Sequence, residues 1–146
     1  MKVRGIRGAI NTANNNRGEI FTRTQELLRA MLAANRVREK EIAAAFFTMT
    51  PDLNADFPAY AARDMGWKDV PMMCAAEIGV PGGMPRVIRV MLLVNSAIPA
   101  SKIRHQYLGD TPCLRPDLVK DNRATTRLKS SRRSSASTRT SAGGMR

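Results

Sequence analysis

Residues 70–95 read VPMMCAAEIGVPGGMPRVIRVMLLVN: an apolar run, a Gly/Pro-rich turn, and a second apolar run broken by Arg89. At strand spacing the second run gives Arg86, Ile88, Val90, Leu92 and Val94 to one face, and Val87, Arg89, Met91 and Leu93 to the other. A strand apolar on both faces is normally a central one, buried on both sides. An arginine in such a strand demands an explanation. Its guanidinium stays charged at any relevant pH, and a buried charge without a partner costs too much to persist. Arg89 therefore calls for an anion, which Glu77, another carboxylate of the chain, or a ligand can supply. The alternative is a place at the sheet rim, with the stem on apolar surface and the head group in water.

The rest of the chain supplies a setting for that strand. Its 146 residues suffice for one domain with a real core. Residues 2–10 alternate weakly and predict a first strand in which glycines permit close packing; Arg7 on it is either a solvated edge charge or a second site arginine. Residues 11–18 (NTANNNRG) form a turn-rich loop, and Asn16 with Glu19 three residues on resembles a capping box. Residues 19–35 predict a helix with Ile20, Leu27, Leu28, Met31 and Leu32 on one stripe. Such a stripe must be buried on something, here a sheet. In residues 39–50 the alanines allow a helix, but Phe-Phe-Thr-Met-Thr before Pro51 favours a strand for the second half. Residues 57–66 predict a short surface helix, with Pro58 in its first turn, Gly66 at its end, and Arg63 either solvated or at the rim of a site. A third strand over 67–78 and a fourth over 84–95 are joined by a glycine-rich turn. That turn is no phosphate loop, because no Lys-Ser/Thr follows and the next element is a strand. A fifth short strand falls at 103–108. The expected class is α/β (α+β): a mixed sheet of about five strands against one long and one or two short helices.

Charge is concentrated at the C-terminus. Residues 118–146 hold eight Lys or Arg against one Asp, which accounts for more than half of the formal net charge of +12. From Val119 onward aromatics vanish and no period survives, so a body of 1–118 and a disordered basic tail of 119–146 are expected. Such a tail could hold nucleic acid or acidic membrane nonspecifically, or serve only solubility. Two cysteines, Cys74 and Cys113, lack a metal-ligand spacing and read as reduced thiols of a cytoplasmic protein. No apolar segment is long enough to span a bilayer, and the N-terminus lacks the apolar stretch of a signal peptide.

The chemistry on offer is narrow. His105 is the sole histidine, so no Ser-His-Asp or Cys-His machine is evident, and no cluster suggests a metal. Cys74 lies near Glu77 rather than near a base. What remains is Arg7, Arg89 and Arg115 on or beside apolar runs, with Tyr107 and the isolated Glu77. That set suits a small dianion, handled by positioning and electrostatics rather than by proton transfer or covalent steps.

MKVRGIRGAI, TPDLNADFPAYAAR, GWKDVP, CAAEIGVPGGMPRVIRVMLLV, IRHQYL and LRPDL, in this order, resemble the monofunctional chorismate mutases of the AroH type, over about residues 2–118. The resemblance implies three subunits forming a pseudo-barrel, with active sites in the clefts between them, and the Claisen rearrangement of chorismate to prephenate with no metal or cofactor. By matching position, Arg89 would meet the charge on the ether oxygen. Glu77 would accept the substrate hydroxyl, with Cys74 near the ring. Arg7 and Tyr107 would hold one carboxylate, while Phe57 and Arg63 would line the cleft and attract the other. Leu114 and Arg115 would close over it. Tyr60 and Met73 depart from the family pattern, which has a lysine and a small hydroxyl residue there, and Met73 is placed to crowd the pocket near Cys74. In a regular strand Cys74 and Glu77 point to opposite faces, so both reach one pocket only if the strand ends or bulges between them. Two other readings stay open: a nucleic-acid binder acting through the tail, and a noncatalytic trimeric small-molecule binder of the same architecture.

Overall fold

Five strands and two helices are laid down by residues 1–118, the part of the chain that the computed structural model describes. Met1–Leu114 forms one unit and a second begins at Arg115. The tail expected to be disordered, 119–146, lies outside the described residues. Strand β1 (Lys2–Asn11) is followed by helix α1 (Arg17–Asn35), strand β2 (Ile42–Met49) and helix α2 (Ala59–Asp64). Strands β3 (Met72–Ala76), β4 (Val87–Ser96) and β5 (Gln106–Tyr107) complete the unit. The sheet order is β3-β2-β4-β1-β5. β4 is antiparallel to both of its neighbours, while the two outermost pairs, β2 with β3 and β1 with β5, are parallel. The class is the mixed one the sequence predicts.

Helix α1 begins where its cap dictates. Asn16 is extended and its side chain accepts from the Glu19 N–H at 2.8 Å, so the helix starts at Arg17, two residues before the apolar stripe alone suggests. Glu19 reaches back to the N–H groups of Ala13 and Asn14 at 3.0 and 3.2 Å, which ties the preceding loop to the helix start. Ile20, Leu27, Leu28 and Met31 are wholly buried and form the core with Ile6, Ile10, Ile88, Leu92 and Val94 of the sheet. Gly8 allows the close approach here. A Cβ on it would come within 2.6 Å of the Met31 sulfur and 3.1 Å of the Gln106 carbonyl oxygen.

Several expected boundaries move, each for a local reason. β2 is extended from Ile42, after a 3-10 turn at Glu39–Glu41, so the alanines that allowed a helix are strand. They pair with β4 on one side, and from Ala45 onward with β3 on the other. The third strand shrinks to five residues, because Trp67 and Val70 are drawn into the core before it begins. β4 starts at Val87, not at Met84. Arg86 adopts a left-handed backbone (φ 51°), held by an N–H bond to Asp52 at 2.9 Å and a side-chain bond to the Thr12 carbonyl at 3.1 Å. No helix among the described residues is long and apolar enough to cross a membrane.

The larger difference concerns coverage. β4 is central, as its composition demands, yet the unit fully covers only one of its faces, the other being buried only at Val87. Ile88, Val90, Leu92 and Val94 are buried, whereas Arg89 is exposed and Met91 and Leu93 are half-buried. One chain supplies one helical layer, and the second apolar face of the sheet is left open.

Candidate active site

Register across the sheet assembles a row of side chains on that open face. Thr48 of β2 pairs with Arg89 of β4 and with Ala75 of β3, and Arg89 pairs with Ala9 of β1. Ala9 in turn pairs with Tyr107 of β5, so one row spans all five strands, with a small residue between the arginine and the tyrosine. Arg7 pairs with Met91 in the neighbouring row, which makes it a diagonal neighbour of Arg89 on the same face. Its own N–H donates to His105 Nδ1 at 2.9 Å, so the sole histidine ties β1 to the segment leading into β5. That segment is also held from below. Asn35, buried at the end of α1, accepts from the Arg104 N–H at 2.7 Å and donates to the Arg104 carbonyl at 2.9 Å.

Glu77 follows the last residue of β3, and its N–H still bonds the Met49 carbonyl at 2.9 Å. The pleat therefore continues through it and turns its carboxylate to the Arg89 face. Oε1 lies 2.8 Å from Arg89 Nε and accepts from the Thr48 hydroxyl at 2.8 Å. Both readings of Arg89 hold in part: its anion is Glu77, and its head group is half in water, the arginine side chain being 47% exposed and the glutamate 16%. An ion pair this open adds little to stability. Its consequence is orientation, because it commits Nε to Glu77 and leaves the terminal nitrogens as donors. Glu77 and Arg89 line a cavity of about 340 Å³ together with Thr50, Gly79, Val80 and Met84.

A second cluster lies elsewhere on the unit. Phe57 and Tyr60 meet edge to face with centroids 5.5 Å apart, and the Arg63 guanidinium stands 5.2 Å from the centroid of the Tyr60 ring. Phe57 and Cys74 both line a cavity of about 350 Å³ with Met49, Leu53 and Asp56. β3 keeps regular register from Met72 to Ala76, so Cys74 faces the core side, opposite Glu77 and Arg89. Burial pushes its thiol up, against a backbone hydrogen bond from Ala59 and the Arg63 charge, both of which favour the thiolate. Met73, paired with Phe46, lies on the open face with Glu77 and is well exposed; any crowding falls there, not beside the Cys74 thiol. Leu114 ends the 3-10 turn Thr111–Leu114. Arg115, in the second unit, pairs with both oxygens of Asp117 at 3.0 and 2.8 Å and holds that carboxyl down at about 2.

The described residues thus bring Arg7, Glu77, Arg89 and Tyr107 to one face, with Met73 beside them. Phe57, Arg63 and Cys74 gather in a separate cluster. Thr48 and Asn35 were not legible as site-building residues: a threonine in a strand and an asparagine at a helix end are commonplace until register or the fold shows what they touch.

The sequence matches the family described as chorismate mutase type I over residues 3–118. The chain belongs to that family. Two relatives called chorismate mutase AroH make the kinship close. The one from Thermus thermophilus is 49% identical over 80% of this chain and 96% of its own length. The one from Bacillus subtilis is 40% identical over 81% of this chain and 94% of its own length. A solved chorismate mutase from Clostridium thermocellum superposes with a TM-score of 0.74 at 43% identity, covering 75% of this chain and 97% of that one. Arg7, Glu77, Arg89 and Tyr107 all fall inside the span that matches the type I chorismate mutases, whereas 119–146 falls outside it.

Proposed function

We propose that this chorismate mutase rearranges chorismate to prephenate, on the route to phenylalanine and tyrosine, by conformer selection and electrostatic stabilisation. The observation that carries the mechanism is the Glu77–Arg89 pair on the open face, in one row with Tyr107 and next to Arg7. The reaction is unimolecular: an ether C–O bond breaks as a C–C bond forms, so neither nucleophile nor proton transfer is required. What it requires is a fixed folded conformer and a cation for the oxygen that gathers charge. Arg89, with Nε on Glu77, turns its remaining nitrogens to that oxygen. Glu77 accepts the hydrogen bond of the substrate hydroxyl, and Arg7 with Tyr107 holds one carboxylate.

The second carboxylate needs another cation. Arg63, held over the Tyr60 ring that Phe57 meets edge to face, is the candidate, and it belongs to the cluster that β3 separates from Arg89. We therefore assign Phe57 and Arg63 to the site of a neighbouring subunit in a homotrimer. The uncovered apolar face of β4 supports this reading. Cys74 turns its thiol away from Glu77, so its contribution to the Glu77 side is confined to the main chain of an edge strand. The free thiols of Cys74 and Cys113 suit a cytoplasmic enzyme.

The test is direct. Purified full-length protein should consume chorismate, followed by its ultraviolet loss, and yield prephenate without added metal or cofactor. A folded protein that leaves chorismate intact overturns the proposal.

A further inference from the structure

We propose that Thr48 is a positioning residue for the rearrangement: its hydroxyl decides which oxygen of Glu77 faces the substrate and keeps Arg89 from closing on both. The inference rests on the reading of the site given above and adds a residue that sets its geometry. Thr48 carries the one hydroxyl of β2, whose sequence is otherwise IAAAFF and Met49. Pairing places it directly across from Arg89 on one side and Ala75 on the other, two residues short of Glu77. Its branched Cβ restricts χ1, which narrows the positions that its hydroxyl oxygen can take.

Glu77 needs such a restraint. It stands one residue past the end of β3 and reaches its partners through three rotatable bonds. Thr48 Oγ1 and Arg89 Nε both engage Oε1, each at 2.8 Å and each from a different strand. Oε2, which accepts from none of the described residues, is left as the acceptor for the substrate hydroxyl. Arginine and a carboxylate on their own favour a two-point fork, with two nitrogens on two oxygens. That fork would occupy both Oε2 and a terminal nitrogen of Arg89, the two groups the reaction uses. A threonine donor on Oε1 favours the one-point arrangement instead.

Thr48→Val keeps the shape and branching of the side chain and removes only the donor, and Thr48→Ser restores it. With chorismate as substrate, Thr48→Val should lower kcat about tenfold with KM within about threefold of wild type, and Thr48→Ser should stay within about threefold in both, the lower end for one hydrogen bond to a charged group. The same Thr48→Val change made in a Glu77→Ala background should leave the residual kcat unaltered, because the group through which Thr48 acts is gone. A purely structural threonine would lower the rate in both backgrounds alike, and that outcome overturns the inference. So does a Thr48→Val enzyme with wild-type kcat. Wild-type protein inert toward chorismate removes the underlying function as well, and is told apart by the absence of any rate to compare.

Discussion

An arginine spreads its charge over a plane of three nitrogens, and at position 89 the plane is divided between two partners. Nε is spent on Glu77 at 2.8 Å, and the other two nitrogens are available to a ligand in the adjoining cavity. A lysine offers a single centre on a flexible stem and can meet the glutamate or the ligand but not hold both. Arg89→Lys should therefore keep the fold, since the side chain is half-exposed, and lose at least ~10²-fold in kcat, the scale of one preorganised donor. Steady-state kinetics decide it: an unchanged kcat removes Arg89 from the ether oxygen. The sequence offered Glu77 only as one of three possible sources of an anion for Arg89; the choice comes from the fold, because Glu77 stands just past β3 and reaches Arg89 across β2, which lies between β3 and β4. The sidedness of Cys74 was legible only as a condition. Parity along a strand sets it, and only the register shows that no bulge intervenes between Cys74 and Glu77.

At the scale of elements, α1 and β1 are held together by what one residue lacks. Gly8 faces the helix, and a methyl group there would press on Met31, Leu27 and the Gln106 carbonyl. The two side chains can yield; the carbonyl belongs to the β1–β5 pairing and yields less. Gly8→Ala should cost about 1–3 kcal/mol of stability by overpacking, read as a lower denaturation midpoint at unchanged slope. A midpoint equal to wild type would mean that the side chains absorb the methyl and that the glycine is not needed for helix approach. Element type was readable wherever period and caps agreed, as for α1 with Asn16 and Glu19. Strand ends were not. β4 begins only after Arg86 because Asp52 and Thr12, distant in sequence, hold that residue left-handed. β2 is extended from Ile42 because two strands flank it, which alanine propensity does not encode.

At the scale of the whole molecule, the open face of the sheet carries more apolar surface than a solitary chain has reason to present. Met73, Phe46 and Met91 lie in one row ending at Arg7, and Val3 and Leu93 extend the patch along β1 and β4. Val3, Phe46 and Met73 are 58%, 39% and 64% exposed. Apolar surface of this kind marks an interaction site, and Arg7 at its border with Arg89 one row away means that whatever covers the patch also walls the site. The proposed trimer satisfies both needs, since a neighbour that covers the face can bring Arg63 and Phe57 within reach of Arg89. Light scattering should give three times the chain mass of 16.1 kDa. Leu93→Asp, which puts a carboxylate into the middle of the patch opposite Gly5, should shift the mass to that of a single chain, since an unpaired charge is not tolerated in an apolar contact. Turnover of chorismate should fall with the trimer, while the far-ultraviolet spectrum stays that of the wild type. A monomeric Leu93→Asp protein with full activity would show that each chain holds a complete site, and would take Phe57 and Arg63 out of the neighbour's cleft.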